Sequence, residues 1–314
     1  MRILAALAAA IVASACCNSL DSLVDKRYRV AAAPSSYSPP AGAYSVDETT
    51  ESWHDAKRDR DVPVRIYTPH GASGPLPLVV FSHGIGEDRD SYAWLGRALA
   101  SHGYVSVHVT HAGTDRAMLK SGYWNLYKAT KKKENWVNRP LDVRFVLDQL
   151  ASRRDLDMNR VAVAGHSAGA FTALALAGMR PAESRGELAD PRVKVAVAMS
   201  IPKLGAAMPD SGYDFITVPV LHMTGTCDGS LIYRTKPRDR RIPFLATHAT
   251  NEYLVTFTGV NHDVFSNVAD AHHSEIADVT IAFLDAWLRN DNAAREWLDR
   301  GGLASREGVA VERK

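Results

Sequence analysis

The chain has 314 residues, of which 46% are hydrophobic and 23% charged, with a formal net charge of +2. That balance suits a globular protein with a sizeable core and argues against a disordered or fibrous chain. With no basic recognition motif there is no reason to expect a nucleic-acid partner, and after residue 15 no apolar run is long enough to span a membrane.

The chain opens on a stretch that is expected to be a targeting signal and not part of the fold. Arg2 precedes a short apolar run from Ile3 to Ala13, and Ala13-Ser14-Ala15 supplies the small residues a signal peptidase accepts. Residues 1–15 are therefore expected to be removed on export. Cys16 follows at once, as in bacterial lipoprotein signals, where that cysteine is lipidated. Ala13 stands where such signals usually carry leucine, so a membrane tether through Cys16 and plain secretion both stay open. The expected destination is periplasmic or membrane-anchored in a bacterium, and secreted otherwise. Cys17 and Cys227 can pair within the chain, but three cysteines make no disulfide framework. Residues 16–45, including the Pro-, Ser- and Ala-rich AAAPSSYSPPAGAYS (31–45), are expected to form a flexible tether.

From residue 46 onward strands and helices alternate. RDVPVRIYTP (60–69) alternates polar with apolar residues and predicts an outer strand, paired with residues around Glu51 to His54. LPLVVFSHG (76–84) is a continuous apolar run closed by Gly84, as in a strand buried on both faces. DSYAWLGRALASHG (90–103) has helical spacing and ends at Gly103 as a cap. YVSVHVT (104–110) is strand, RPLDVRFVLDQLAS (139–152) amphipathic helix, and VAVA (161–164) strand. VKVAVAMS, PVLHMTG and EYLVTFTG are further buried strands, and SEIADVTIAFLDAWL (274–288) closes with one apolar helical face. The alternation predicts an α/β fold over 46–314, with a mostly parallel central sheet and helices on both faces.

In such sheets ligands bind beyond the carboxyl ends of the strands, so the polar residues just after strands matter most. VAVAGHSAGAFTALALAG (161–178) passes from strand to helix through Gly165-x-Ser167-x-Gly169, the pattern of a turn that exposes a nucleophilic serine. Asp228 follows the strand 218–224, and His262 follows the last strand. Ser167 needs a base to take its proton, and His262 titrates in the range for that task. Asp228 would fix the histidine tautomer and raise its pKa by favouring the imidazolium. After the first buried strand, the His83-Gly84 pair lets the backbone turn so that the N–H of Ile85 joins that of Ala168 in facing an oxyanion. Asp263, beside the histidine, and Asp214, ahead of its strand, compete for the acid role. His166 is read as structural, as are His108, His111 and His222.

The motifs VVFSHGIGEDRDSYAWLGRALASHGY, NRPLDVRFVLDQL, VAVAGHSAGAFTALALAG and GVNHDVFS together resemble the dienelactone-hydrolase-like group of α/β-hydrolases. Plasma platelet-activating-factor acetylhydrolases and chlorophyllases are similar within that fold. The resemblance covers about residues 50 to 290 and implies ester hydrolysis through an acyl-enzyme, without a cofactor or metal, on small-molecule or lipid esters of short acyl chain. Ser167 argues against the activity of dienelactone hydrolases proper, which use a cysteine nucleophile. Ala170 stands where many relatives carry a second glycine. A lipase- or polyester-cleaving enzyme is the alternative within enzymes, and a non-catalytic binding protein the alternative outside them.

Two basic stretches remain. SGYWNLYKATKKKENW (121–136) lies on the site side of the sheet; its aromatics could roof an acyl pocket and Lys131 to Lys133 could meet anionic head groups, but a solvated insertion is the plainer reading. YRTKPRDRRIP (233–243) is likewise read as ordinary surface charge. His272 and His273, near His262 and Asp263, match no common zinc spacing.

Overall fold

The computed structural model describes residues 17–33, 35, 37–182, 188–205, 208–230, 234–266 and 272–314. The expected signal segment and Cys16 lie outside the described residues. Among them nine strands form one sheet: β1 (Val46–Asp55), β2 (Arg60–Pro69), β3 (Leu76–Ser82), β4 (Val105–Val109), β5 (Leu156–His166), β6 (Val193–Met199), β7 (Val220–Cys227), β8 (Glu252–Asn261) and β9 (Val309–Arg313). Their order across the sheet is β1-β2-β4-β3-β5-β6-β7-β8-β9. From β4 to β8 all neighbours are parallel, while the marginal pairings β1–β2, β2–β4 and β8–β9 are antiparallel.

Strand residues alternate between two cores, which explains the unbroken apolar runs. Val79, Phe81, Ala162, Ala164, Val195 and Val197 face the helices Ala93–Ser101 and His273–Leu288. Leu78, Val80, Val161, Val163, Ala196 and Ala198 face the helices Lys133–Leu150 and Ala168–Leu176. This is the α/β-hydrolase arrangement, with a mostly parallel sheet covered on both sides. The chain reverses direction across the sheet between β3 and β5, so their carboxyl ends flank a crevice suited to a ligand.

Several elements differ from the sequence reading. The helix expected at Arg139 begins at Lys133, and Pro140 lies inside it rather than at its start. The stretch 121–136 is largely helical, with Tyr123–Ala129 as a helix of its own. Beyond Leu288 the sequence reading assigns nothing, yet a helix Asn292–Asp299, capped by the Asp291 carboxylate, leads into β9.

The expected flexible tether is the largest difference. The described residues between 17 and 45 lie along the domain and are fastened at both ends. Cys17 is bonded to Cys227, and the Asn18 N–H donates to the Thr226 carbonyl at 2.9 Å. Leu23 and Val24 are buried, Tyr28 meets Phe244 edge-on, and an antiparallel bridge joins Arg29 to Glu312 on β9. Tyr37 rests on Trp297, and the Tyr44 N–H donates to the Ser101 carbonyl. The Pro- and Ala-rich composition hid a few large side chains, and these are what dock.

Candidate active site

The segment that opens the crevice is the turn between β5 and the helix Ala168–Leu176. Ser167 sits there with φ 55° and ψ −115°, a conformation that non-glycine residues adopt only under strain. The surrounding contacts leave no alternative path. A Cβ on Gly165 would come within 2.3 Å of the Gly169 backbone, and one on Gly169 within 1.8 Å of the Ser82 carbonyl oxygen. Helix and strand therefore cross with only glycines between them, and the Ser167 N–H donates to the Met199 carbonyl at 2.9 Å.

The three strand-end residues singled out in the sequence meet here. His262 Nε2 is 3.0 Å from Ser167 Oγ, and His262 Nδ1 is 2.9 Å from Asp228 Oδ1. Asp228 follows β7 and His262 follows β8, and those strands are neighbours. Asp228 is fully buried. Its Oδ2 accepts from Ser200 Oγ at 2.5 Å and from Thr224 Oγ1 at 2.9 Å, and its Oδ1 lies 3.1 Å from Arg240 Nη2. Burial alone would push this carboxyl up; the Arg240 charge, the bond from His262 and the Ser200 hydroxyl hold it well below the usual carboxylate range instead.

His262 titrates in the opposite sense to the expectation. Asp228 does favour the imidazolium, but burial, the neighbouring His166 ring and the Arg240 guanidinium outweigh it, and the histidine is lowered below its ordinary value. The rings of His166 and His262 are 4.6 Å apart, and Arg240 Nη2 is 3.0 Å from His262 Nδ1. Sequence reasoning missed Arg240, which it counted as surface charge and which is buried. It also missed Ser200, although Ser200 closes β6 and the strand-end rule would have marked it.

On the other side of Ser167 lies the loop after β3. Its carbonyls and side chains are tied from below: Arg139 donates to the His83 carbonyl, to Ser82 Oγ at 3.2 Å and to Thr114 Oγ1 at 2.8 Å. His83 Nε2 accepts from the His111 N–H at 3.0 Å, and its Nδ1 lies 2.5 Å from the Gly84 carbonyl. The left-handed turn falls at Gly86 (φ 80°) rather than at the His83-Gly84 pair. Among the described residues, the N–H groups of Ile85 and Ala168 donate to no backbone carbonyl, whereas those of Gly84 and Gly86 are used by Glu87 and Thr114.

The remaining candidates make their hydrogen bonds outside this relay. Asp263 is exposed, and Asp214 pairs with His248 at 2.8 Å ahead of β7. His166 Nδ1 bonds to Tyr92 Oη at 2.7 Å, and Tyr92 Oη in turn bonds to Glu87. His272 bonds to Glu275, and His273 stacks on Trp94. In the 121–136 stretch Trp136 packs edge-on against Phe171 of the elbow helix, while Trp124 is 70% exposed.

The chlorophyllase family pattern matches residues 39–188, which include the β3 loop and Ser167 but neither Asp228 nor His262. The chain is 30% identical to the platelet-activating factor acetylhydrolase of Cavia porcellus, over 36% of this chain and 34% of that protein. It is 27% identical to the same-named enzyme of Canis lupus familiaris, over 35% of each chain. It is 26% identical to cutinase est2 of Thermobifida alba, over 76% of this chain and 70% of the cutinase. The chain thus spans about a third of the length of the acetylhydrolases it matches. Sheet order and elbow give the chain the α/β-hydrolase fold, and the proteins it is similar to are a chlorophyllase family, platelet-activating factor acetylhydrolases and a cutinase.

Proposed function

We propose that the chain is a serine ester hydrolase that cleaves small or short-acyl esters through an acyl-enzyme. The observation that supports this reading best is the continuous relay from Asp228 through His262 to Ser167, with spacings of 2.9 and 3.0 Å. Ser167 Oγ attacks the ester carbonyl as His262 Nε2 takes its proton, and Asp228 accepts the Nδ1 hydrogen and steadies the imidazolium. The carbonyl oxygen, now negative, faces the N–H groups of Ile85 and Ala168. Collapse breaks the bond to the alcohol oxygen, which leaves with the proton from His262. Water then repeats the sequence on the acyl-serine and releases the acid. No step draws on a cofactor. The short acyl chain follows the acetylhydrolase relatives. The cutinase relative, which covers more of this chain, favours polyesters as a second reading.

A fluorophosphonate label and nitrophenyl esters of graded chain length test this directly. The label should attach to Ser167, and Ser167→Ala should fold normally while losing several orders of magnitude in esterase activity. A folded Ser167→Ala protein with near-native activity would remove the assignment. Faster release from a polyester film than from any soluble ester would replace the short-acyl substrate with the polymer.

Export belongs to the same proposal. Cleavage after Ala15 would leave Cys16 as the first residue, either lipidated or free. Sequencing of the mature N-terminus and partition into detergent distinguish the two, and an intact Met1 on active cytoplasmic protein overturns export altogether.

A further inference from the structure

Arg240 is an unusual neighbour for a hydrolytic relay. It lies in the short 3-10 turn Pro237–Arg241, and its side chain is fully buried. Its Nη1 donates to the carbonyls of Ser200 and Ile201 at 2.8 and 2.7 Å, and its Nε donates to the Asp228 carbonyl at 3.2 Å. Three backbone oxygens thus fix the guanidinium, leaving Nη2 against Asp228 Oδ1 at 3.1 Å and His262 Nδ1 at 3.0 Å. A nitrogen that carries hydrogen cannot accept one. With the Nδ1 hydrogen directed at Asp228, the Nη2 hydrogen must therefore go to the same carboxylate.

We propose that Arg240 is a positioning residue of the hydrolytic relay: it shares the Asp228 carboxylate with His262 and, as a fixed cation beside the ring, keeps the imidazole neutral in acid. The proposal rests on the ester-hydrolase reading above. Two consequences come from this geometry. The carboxylate is held from both sides, so the Nδ1–H bond and the aim of Nε2 at Ser167 persist when no substrate is present. A second proton on the ring would place an imidazolium 3.0 Å from a guanidinium that is itself buried, so that little water screens the two charges on that side of the ring.

Among the other groups facing His262, Asp228 favours the imidazolium, but it does not reverse the net downward push on the ring. From β6 comes the Ser200 hydroxyl, 2.7 Å from Nδ1, and from the elbow come Ser167 and the His166 ring. From beyond β7 comes Asp228, the one carboxylate in contact with the ring among the described residues. Glu87 stands behind His166, 3.9 Å from its Nδ1, and is therefore one ring removed from His262. Phe265 lies 5.5 Å from the His166 ring and carries no charge. Burial, His166 and Arg240 all push the histidine down, and Arg240 is the permanent charge among them.

The test is the pH dependence of kcat/KM on a short-chain nitrophenyl ester, measured on the full folded protein. The acid limb of the wild type should lie below the ordinary imidazole value. Arg240→Met should move that limb up by about one pH unit, a loss of about tenfold in relative kcat/KM on the acid side. Arg240→Lys keeps the charge without the fork; its limb should stay near that of the wild type while its plateau falls. An unmoved limb in Arg240→Met, or an equal shift in Met and Lys variants, would overturn the proposal. Should Arg240→Met fail to fold, Arg240→Gln takes its place, and a wild-type limb at or above the ordinary imidazole value overturns the proposal without any variant. A wild-type protein that no fluorophosphonate labels at Ser167 sinks the hydrolase reading itself. Labelling at Ser167 with an unmoved limb sinks only the role of Arg240.

Discussion

Asp228 carries a charge with no exposed surface, and its ionised form survives because four groups meet its two oxygens: His262 and Arg240 on one, Ser200 and Thr224 on the other. Replacing it by asparagine keeps the volume but disturbs two of those partners at once. The amide can present its NH₂ to His262 and so select the wrong tautomer, which in a triad costs on the order of 10⁴ in turnover. It also leaves the Arg240 cation buried without a counter-ion, at a cost of about 3 kcal/mol in stability. Asp228→Asn should therefore show both losses, in ester turnover and in urea unfolding, whereas Asp263→Asn should show neither, because Asp263 is exposed. A crippled Asp263→Asn beside a near-normal Asp228→Asn would reverse the assignment of the acid. The strand-end positions of Asp228 and His262 were legible in the sequence because each comes directly after an apolar strand run. Arg240 was not, because its contacts reach Ser200 and His262 across stretches of chain that no local pattern connects.

At the scale of elements, the elbow depends on how closely the helix Ala168–Leu176 lies over β3 and β5. The closest approach is at Gly169, where a methyl group would overlap the backbone oxygen of Ser82 and not the end of a flexible side chain. Relief would require β3 or the helix to move, and with it the His83–Ile85 loop that Arg139 holds. Gly169→Ala should thus destabilise by about 3 kcal/mol or more and lower esterase activity further than the stability loss alone explains. A Gly169→Ala protein with native melting and native turnover would show that the crossing is slacker than the contacts imply. The glycines, like the buried strands β3, β5, β6 and β7, could be read from the sequence because burial on both faces leaves only apolar or tiny residues. β1 and β9 were harder. β1 is mostly exposed, so it was expected only as a partner of β2, and β9 owes its strand state to its pairing with β8. The helical stretch 123–129 has exposed Tyr123 and Trp124, so its periodicity does not separate a buried face from a wet one.

For the whole molecule, two features tie stability to conditions. The first is a set of buried neutral histidines beneath the site: burial lowers His83 well below its ordinary value, His108 to about 3 and His111 to about 4. The unfolded chain gains protons at these residues as pH falls through about 6.5 while the folded chain does not, so stability drops with falling pH by on the order of 1 kcal/mol per histidine per pH unit. Asp142, lowered to about 2 despite its burial by bonds from His111 and Arg60, adds a second loss below the ordinary carboxylate value. Urea midpoints should therefore begin to fall near pH 6.5, and a midpoint flat down to pH 5 would contradict burial of these rings in neutral form. The second feature is the bond between Cys17 and Cys227, which closes a loop with a sequence separation of 210 residues. A crosslink across so long a loop restricts the unfolded chain strongly, and losing one typically costs about 2–4 kcal/mol. The native arrangement beside it has independent supports: Leu23 is buried, Asn18 bonds to Thr226, and Asp228 keeps its contacts with Thr224, Ser200 and Arg240. Reduction, or Cys17→Ser, should therefore lower the urea midpoint while leaving ester turnover in dilute buffer close to its starting value, even though Cys227 adjoins the proposed acid. Equal midpoints with and without reductant would mean that the N-terminal segment is held by its packing alone. Turnover that collapses on reduction would mean instead that the crosslink, and not the buried cluster around Asp228, sets the position of the acid.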